Sequence, residues 1–396
     1  MGLFKRRKAA IECSIMDKVH EIVCLYCFRN FKHDRVMFRA LEALNIGEEL
    51  TDVLDPDQFE EVAKGYHRGV LSSLKDDKDI VTTRRVCPYC YNDISQYAGF
   101  APSVIISVVG ADHVGKSTFL TALIHRLRTV TPRNFPVFCT SLNNEIGRKF
   151  KLEYEDPLIS ERLLLESAKN KNRHEPIVFT FSFTDENKPE INIAFFDIAG
   201  DDIADTAYMD TYTAYIRNSS GVLFLTDPLQ FTSVGQKIML KNNISVDTQF
   251  IAEDPSDVLN NMIGKHIHRQ EDGVSNIPIA VVLTKTDLLE VLCNDGAYMS
   301  KNSPIFSDYT HKGFFNLTEF DNIDDDAYEF IAAVDTNFCN ALKRRFYNLG
   351  FFAVSALGSK PIGQKVASFS PMRVDEPFLW ILYQLGYIEG YDGGTV

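Results

Sequence analysis

Short, almost uninterrupted apolar runs recur along the chain at Val104–Val109, Ile177–Phe183, Ile191–Phe196, Ile279–Leu283 and Phe351–Val354. Runs of this length, rich in β-branched and aromatic residues, predict strands buried on both faces, as in a parallel sheet covered by helices. Helical periodicity appears between them. Val258, Leu259, Met262, Ile263 and Ile267 share one face, and Ser160–Ala168 also reads as a helix. The alternation predicts an α/β domain with a doubly wound, mostly parallel sheet. The connections at about 133–175, 236–276 and 288–326 are long enough to read as insertions. The acidic run Asp324-Asp325-Asp326 within the last of them reads as solvent-exposed surface.

The first apolar run feeds directly into Gly110-Ala111-Asp112-His113-Val114-Gly115-Lys116-Ser117-Thr118, a complete G-x-x-x-x-G-K-[ST] loop. Glycines let a backbone wrap closely around phosphates, and successive N–H groups at a helix N-terminus favour anions. Lys116 is placed to reach the β/γ-phosphates and Ser117 to ligate Mg²⁺. Ile191–Phe196 then runs into Asp197-Ile198-Ala199-Gly200, a D-x-x-G element. Asp197 suits Mg²⁺, and the Gly200 amide suits a γ-phosphate oxygen, a hydrogen bond that ends when that phosphate leaves.

Base choice rests on Thr284-Lys285-Thr286-Asp287, which follows the run Ile279–Leu283. A carboxylate at Asp287 can accept from guanine N1–H and its exocyclic amine, whereas adenine offers an acceptor there and leaves the charge unpaired. The Lys285 stem can lie over the base. Ser355-Ala356-Leu357 follows the last apolar run, and the Ala356 amide is placed to donate to guanine O6. Four elements in this order, three of them at strand ends, agree with nucleotide binding at the carboxyl ends of a doubly wound sheet.

On these residues, positions 100–390 resemble the Ras-like branch of the translation-factor-class P-loop GTPases. Gly221–Pro228, Glu376-Pro377-Phe378-Leu379-Trp380 and the paired cysteines make the pattern most similar to the bacterial double-GTPase proteins of conflict and defence systems. The resemblance implies a GTPase fold, GTP/GDP with Mg²⁺, and a switch that recruits or regulates a protein effector or activator. Lys116, Gly200 and Asp201 are the candidate catalytic residues.

Two departures bear on hydrolysis. Asp112 occupies a P-loop position where Ras-like proteins commonly keep Gly, and Asp201 stands where many relatives carry the Gln that orients water. Slow intrinsic turnover is the expectation, unless another group positions the water. Arg128, Arg133 and Arg148 are candidate arginine fingers, and a homodimer could supply a missing group in trans. No threonine stands in the Asn170–Pro176 stretch, so Thr131 ranks first as a switch I ligand to Mg²⁺.

A different chemistry begins with Cys24-Leu25-Tyr26-Cys27 and Cys87-Pro88-Tyr89-Cys90. Two C-x-x-C turns can close a tetrahedral, structural Cys₄ zinc site. Cys27 and Cys87 lie 60 positions apart (87 − 27), beyond the usual ribbon spacing of about 15–20, so an insertion must separate the knuckles. Disulfides, a redox pair or unrelated thiols are the alternatives, and a cytoplasmic setting disfavours the first. The division expected is a zinc-ribbon-like module at 1–98 and a GTPase domain at 99–396. The module is read as a protein-docking element, with a folding staple and a nucleic-acid contact as alternatives. Lys5, Arg6, Arg7, Lys8, Arg29, Lys32, Arg35, Arg84 and Arg85 interleave with Phe28, Phe31 and Phe38, a mixture able to touch phosphates and bases. The net charge of −13 over 396 residues gives no global attraction to nucleic acid. No stretch of 18 apolar residues exists, so no transmembrane helix is expected. The opposing functional reading is a hydrolysis-poor GTP- or GDP-bound scaffold.

Overall fold

The computed structural model describes residues 21–46, 49–95, 98–100, 103–111, 113–165, 176–184, 190–195, 215–244, 254–265, 274–295 and 299–392. The apolar runs form strands close to where they are predicted. They are β1 (Ser103–Gly110), β2 (Val137–Ser141), β3 (Ile177–Phe183), β4 (Ile191–Phe195), β5 (Gly221–Thr226), β6 (Ile279–Leu283) and β7 (Leu349–Ala353). Among the described residues these make one seven-stranded sheet in the order β2-β3-β4-β1-β5-β6-β7. The β4, β1, β5, β6 and β7 neighbours run parallel, while β2–β3 and β3–β4 are antiparallel.

Each central strand is apolar on both sides because helices cover both faces. Along β1, Val104, Ile106 and Val108 join the cluster that includes Leu120, Leu123 and Trp380. Ile105 and Val109 join the opposite one with Ile331 and Phe338. The first face is covered by α1 (Lys116–Thr129) and the C-terminal α7 (Glu376–Gln384). The second is covered by α3 (Thr232–Lys241), α5 (Leu317–Val334) and α6 (Thr336–Arg345). Two further helices, α2 (Asn144–Phe150) and α4 (Pro255–Lys265), lie within the insertions. β1, β5, β6 and β7 all point the same way and end just before the P-loop, Asp227, Thr284 and Ser355.

A buried ionic network fastens α1 to the start of α7. The Arg126 side chain donates to Asp375 (Nε–Oδ1 2.7 Å) and Asp308 (Nη1–Oδ2 2.8 Å). Thr131 and Tyr309 donate to the other Asp375 oxygen at 2.7 and 2.6 Å. Beside it, Arg373 pairs bidentately with Glu376 at 2.9 and 2.8 Å, and His311 Nε2 lies 3.0 Å from the same carboxylate. Because His311 Nδ1 accepts from the Asn316 N–H, Nε2 is the nitrogen placed to donate to Glu376.

Several sequence expectations change here. Residues 151–160 form a wide π-type helix, and the chain then leaves the helix, so of the expected helix Ser160–Ala168 the described residues 161–165 are not helical. The Leu164 N–H donates to the Gln364 carbonyl and the Val366 N–H to the Arg162 carbonyl, an extended pairing that brings Leu165 against the core. The remainder, 166–168, lies outside the described residues. Asp324–Asp326 is not simply exposed surface: the run sits in α5, where Asp324 accepts from the Phe351 N–H at 2.7 Å and Asp326 accepts from the Ser303 hydroxyl. Thr131 is fully buried on Asp375, so its hydroxyl is spent on structure rather than on Mg²⁺. Arg128 lies twelve residues along α1 from Lys116, about 18 Å at 1.5 Å per residue. There it pairs with Glu155 at 3.4 Å and packs over Phe179, away from the phosphate loop.

Between the two cysteine pairs the chain forms small antiparallel sheets. Met37–Ile46 pairs with Glu49–Leu54 and Arg85–Val86, and Val70–Lys75 pairs with Lys64–His67 and Val81–Thr82. This is the insertion that the wide cysteine spacing predicts.

Candidate functional site

β1 ends at Gly110, where a Cβ would come within 2.7 Å of the Leu225 carbonyl oxygen, so the loop starts pressed against β5. Gly115 has φ +90° and open space where a side chain would project. Glycine therefore meets both needs of a phosphate cradle, left-handed backbone and an unfilled hollow. Lys116 opens α1 and folds its ammonium back onto the Gly110 and Ala111 carbonyls at 3.0 and 2.8 Å. Ser117 and Thr118 follow in the first turn, half-buried. His113, exposed, takes φ +63° within the loop. Asp112, Asp197, Gly200 and Asp201 lie outside the described residues.

The T-K-x-D element meets this loop, and the S-A-L element meets T-K-x-D. The Thr284 hydroxyl lies 3.2 Å from the Val114 carbonyl and 3.0 Å from that of Thr226, bridging the loop to β5. Lys285, at φ +53°, donates to the His113 carbonyl at 3.0 Å and ion-pairs with Asp227. The Ser355 hydroxyl donates to Asp287 at 2.6 Å and accepts from the Gly358 N–H at 2.9 Å. Asp287 is thereby oriented, while Ala356 and Leu357 remain half-buried at the rim. Elements separated by up to 245 positions, from Gly110 to Ser355, thus meet at one end of the sheet.

Asp227 is a residue that motif reading missed. Its side chain accepts from the Leu229 N–H, its own N–H donates to Gln230 Oε1, and its second oxygen holds Lys285. The available signal was positional: Asp227 directly follows the apolar run Gly221–Thr226, at the carboxyl end of a strand.

Cys24, Cys27, Cys87 and Cys90 form a second site, with all four Sγ atoms within 4.8 Å of one another. Cys24–Cys90 and Cys27–Cys87 are 3.6 and 3.7 Å apart. A tetrahedral set at ~2.3 Å from a zinc ion has sulfurs ~3.8 Å apart, so the donors fit such an ion. The Tyr26 and Tyr89 N–H groups each donate to a cysteine sulfur at 3.4 Å, as knuckle turns require. Hydrogen bonds among the thiols split their proton affinities: the bond with Cys27 pushes Cys24 up, while the bond with Cys24 pulls Cys90 down.

Several of the basic and aromatic residues of this module are internally committed, while Lys32 and Arg35 are exposed. Arg85 is buried and donates to the Ser95 and Ala98 carbonyls, both at 2.8 Å, and burial lowers its pKa to about 10. Arg84 pairs with Asp93, Arg29 stacks over Tyr89, and Phe28, Phe31 and Phe38 are core. Arg84, Arg85 and the three phenylalanines of that mixture are thus core or ion-paired, and Lys5, Arg6, Arg7 and Lys8 lie outside the described residues. Among the described residues, no helix is long and apolar enough to cross a membrane.

The family model for Double-GTPase 2 matches residues 104–328, more than half of the chain. The chain belongs to the Double-GTPase 2 family, and its fold is that of a guanine-nucleotide-binding, switch-like protein. It is similar to the putative ESX-1 scaffolding and assembly protein SaeC of Mycolicibacterium smegmatis, at 21% identity over 329 residues, 76% of this chain and 80% of that protein. Among solved structures it matches the Arl6 (BBS3) small GTPase of Trypanosoma brucei, determined with a bound nucleotide analogue. That match has 13% identity, a TM-score of 0.28, and covers 71% of this chain and 95% of the other.

Proposed function

We propose that the chain is a cytoplasmic GTP-hydrolysing switch whose nucleotide state controls a protein partner. The observation that carries this reading is that Thr284 and Lys285 bond to the backbone of the phosphate loop while Ser355 orients Asp287 two residues further on. In this reading the N–H groups of 113–118 and Lys116 hold the phosphates, and Asp287 reads the Watson–Crick edge of guanine. Ser117 and Asp197 hold Mg²⁺, which neutralises phosphate charge. Gly200 senses the γ-phosphate, and Asp201 stands beside the attacking water in place of an amide. The catalytic set is thus Lys116, Gly200 and Asp201, and slow intrinsic turnover follows from the charged, shorter group at 201.

In the division proposed, residues 1–98 are a zinc-holding docking module and residues 99–396 the GTPase domain. Conflict or defence signalling is the setting that the double-GTPase resemblance implies. The name of the mycobacterial relative, a putative scaffolding and assembly protein, supports protein partners and favours a second reading: a nucleotide-loaded scaffold that scarcely turns over.

Turnover by purified protein separates the two. For a switch, Mg²⁺-dependent GTP hydrolysis falls by orders of magnitude in Lys116→Ala, and Asp201→Gln changes it measurably. For a scaffold, GTP or GDP stays tightly bound with no turnover in any variant. Failure of the wild-type protein to bind guanine nucleotide would overturn both.

A further inference from the structure

The first cysteine knuckle is built into the hydrophobic core of the GTPase body. Leu25 and Phe28, each 7% exposed, belong to the same buried cluster as Ile105 and Val109 of β1 and Val222 of β5. At the other end of β1, the Ser103 hydroxyl donates to the Val23 carbonyl at 3.3 Å. Phe28 has φ +59°, a conformation fixed by its N–H, which donates to the Cys24 carbonyl at 2.9 Å and closes the knuckle. Its ring lies against that of Tyr215, with centroids 6.1 Å apart.

Tyr215 occupies an unusual place on β1. Among the described residues, β4 pairs with β1 from Asn192↔Ser103 to Phe195↔Ile106, and β5 pairs with it from Gly221↔Ile106 to Leu225↔Gly110. The fully buried Tyr215 hydroxyl also bonds to the backbone of β1. It donates to the Ile106 carbonyl at 2.5 Å and accepts from the Val108 N–H at 3.1 Å. Two residues later the chain enters the phosphate loop at Gly110. One phenol therefore ties Ile106 and Val108 on the strand that aims the loop, and its ring lies against Phe28 of the cysteine knuckle.

We propose that Tyr215 is a positioning residue for the phosphate loop, and that the cysteine module acts on nucleotide release in cis through the packing of Phe28 on Tyr215. The inference rests on the reading of the P-loop as a guanine-nucleotide site. Four thiols drawn onto one ion fix the turn that presents Phe28; a slack turn leaves Tyr215 without its backing and loosens its hydrogen bonds to Ile106 and Val108. The coupling is local packing and hydrogen bonding between two rings buried in the core.

The test uses the full chain loaded with zinc and fluorescent GDP, and follows GDP release after an excess of unlabelled GDP. Phe28→Ala is expected to release GDP about fivefold faster or more, and Phe28→Leu, which keeps apolar bulk, is expected to lie between. Stripping zinc from the wild-type protein with a chelator gives a similar acceleration. The same treatment adds little to Phe28→Ala, because both changes act through one pair of rings. Hydrogen exchange without nucleotide shows lower protection across 104–110 in Phe28→Ala and in Tyr215→Phe. Wild-type release rates in both Phe28 variants, or equal acceleration by chelation with and without Phe28, would overturn the proposal. If the wild type binds no GDP, the nucleotide reading fails. The exchange experiment still decides the coupling: unchanged protection across 104–110 rejects it.

Discussion

Lys285 and Asp227, 58 residues apart, form an ion pair beside the phosphate loop, with the carboxylate almost wholly buried and the ammonium also bound to the His113 carbonyl. The lysine therefore has a fixed course across the site before any ligand arrives. Orientation is expected to cost less on binding when the group is already held.

Asp227→Asn keeps the shape but removes the charge that holds Lys285. A charged hydrogen bond contributes ~1.5–3 kcal/mol, so guanine nucleotide affinity is expected to fall ~10- to 100-fold. Titration calorimetry with GDP measures it, and an unchanged dissociation constant would remove Asp227 from the site.

Asp287 is steadied at Oδ1 by the Ser355 hydroxyl, an arrangement that suits its second oxygen to a ligand. Asp287→Asn replaces an acceptor with a donor facing the purine edge. Preference is expected to shift from GTP towards XTP, whose ring carries a carbonyl where guanine has its amine. Competition between the two nucleotides checks this; retained guanine preference would refute the assignment.

Arg126 is 3% exposed and neutralises Asp375, which is fully buried. Arg126→Ala leaves that carboxylate without its charge partner and is expected to destabilise the fold by ~3–5 kcal/mol. Urea unfolding, monitored in parallel with a P-loop variant such as Lys116→Ala, distinguishes this structural loss from a loss of nucleotide.

Acid stability turns on the cluster around Glu376. Burial by itself would raise this carboxyl, but Arg373 and His311 outweigh it and hold it below its ordinary value of 4.5. A carboxyl depressed in the folded state contributes stability above its unfolded pKa and loses it as pH falls through the folded value. Stability is therefore expected to decline from about pH 4.5 downward. Glu376→Gln, which cannot titrate, should flatten that part of the melting-temperature profile.

Zinc is expected at one ion per chain in protein purified without chelator, and Cys24→Ser or Cys90→Ser should lower that ratio and destabilise the module. Elemental analysis gives the stoichiometry. Full retention of metal in both variants would argue against a four-thiolate site.

Much of the site was legible because phosphate loops and base-reading elements are written in contiguous residues. Gly110–Thr118, Thr284–Asp287 and Ser355–Leu357 each carry their chemistry within a few positions, and strands buried on both faces announce themselves as apolar runs. Asp227 and Tyr215 were not legible in that way. Asp227 stands in the Gly221–Pro228 stretch but carries no role there by itself, Tyr215 belongs to no short motif, and each acts on a partner more than 50 positions distant, Lys285 for one and Ile106 for the other. Leu163–Leu165 misled for a related reason: an apolar triplet looks helical in isolation, but 364–366 supplies backbone partners that a helix would otherwise have provided.

The amino-acid order alone determined the strands, the loop residues that suit phosphate, the carboxylate suited to guanine and the four thiols suited to one ion, since each depends on residue type at short spacing. Tertiary structure decided which polar groups were spent on architecture, as with Thr131, Arg85 and Arg128, and which unforeseen side chains hold the site in place. It also seated Phe28 on Tyr215, joining two chemistries that the sequence presents as separate. Long-range packing makes these choices, because burial and pairing depend on what the folded chain brings alongside.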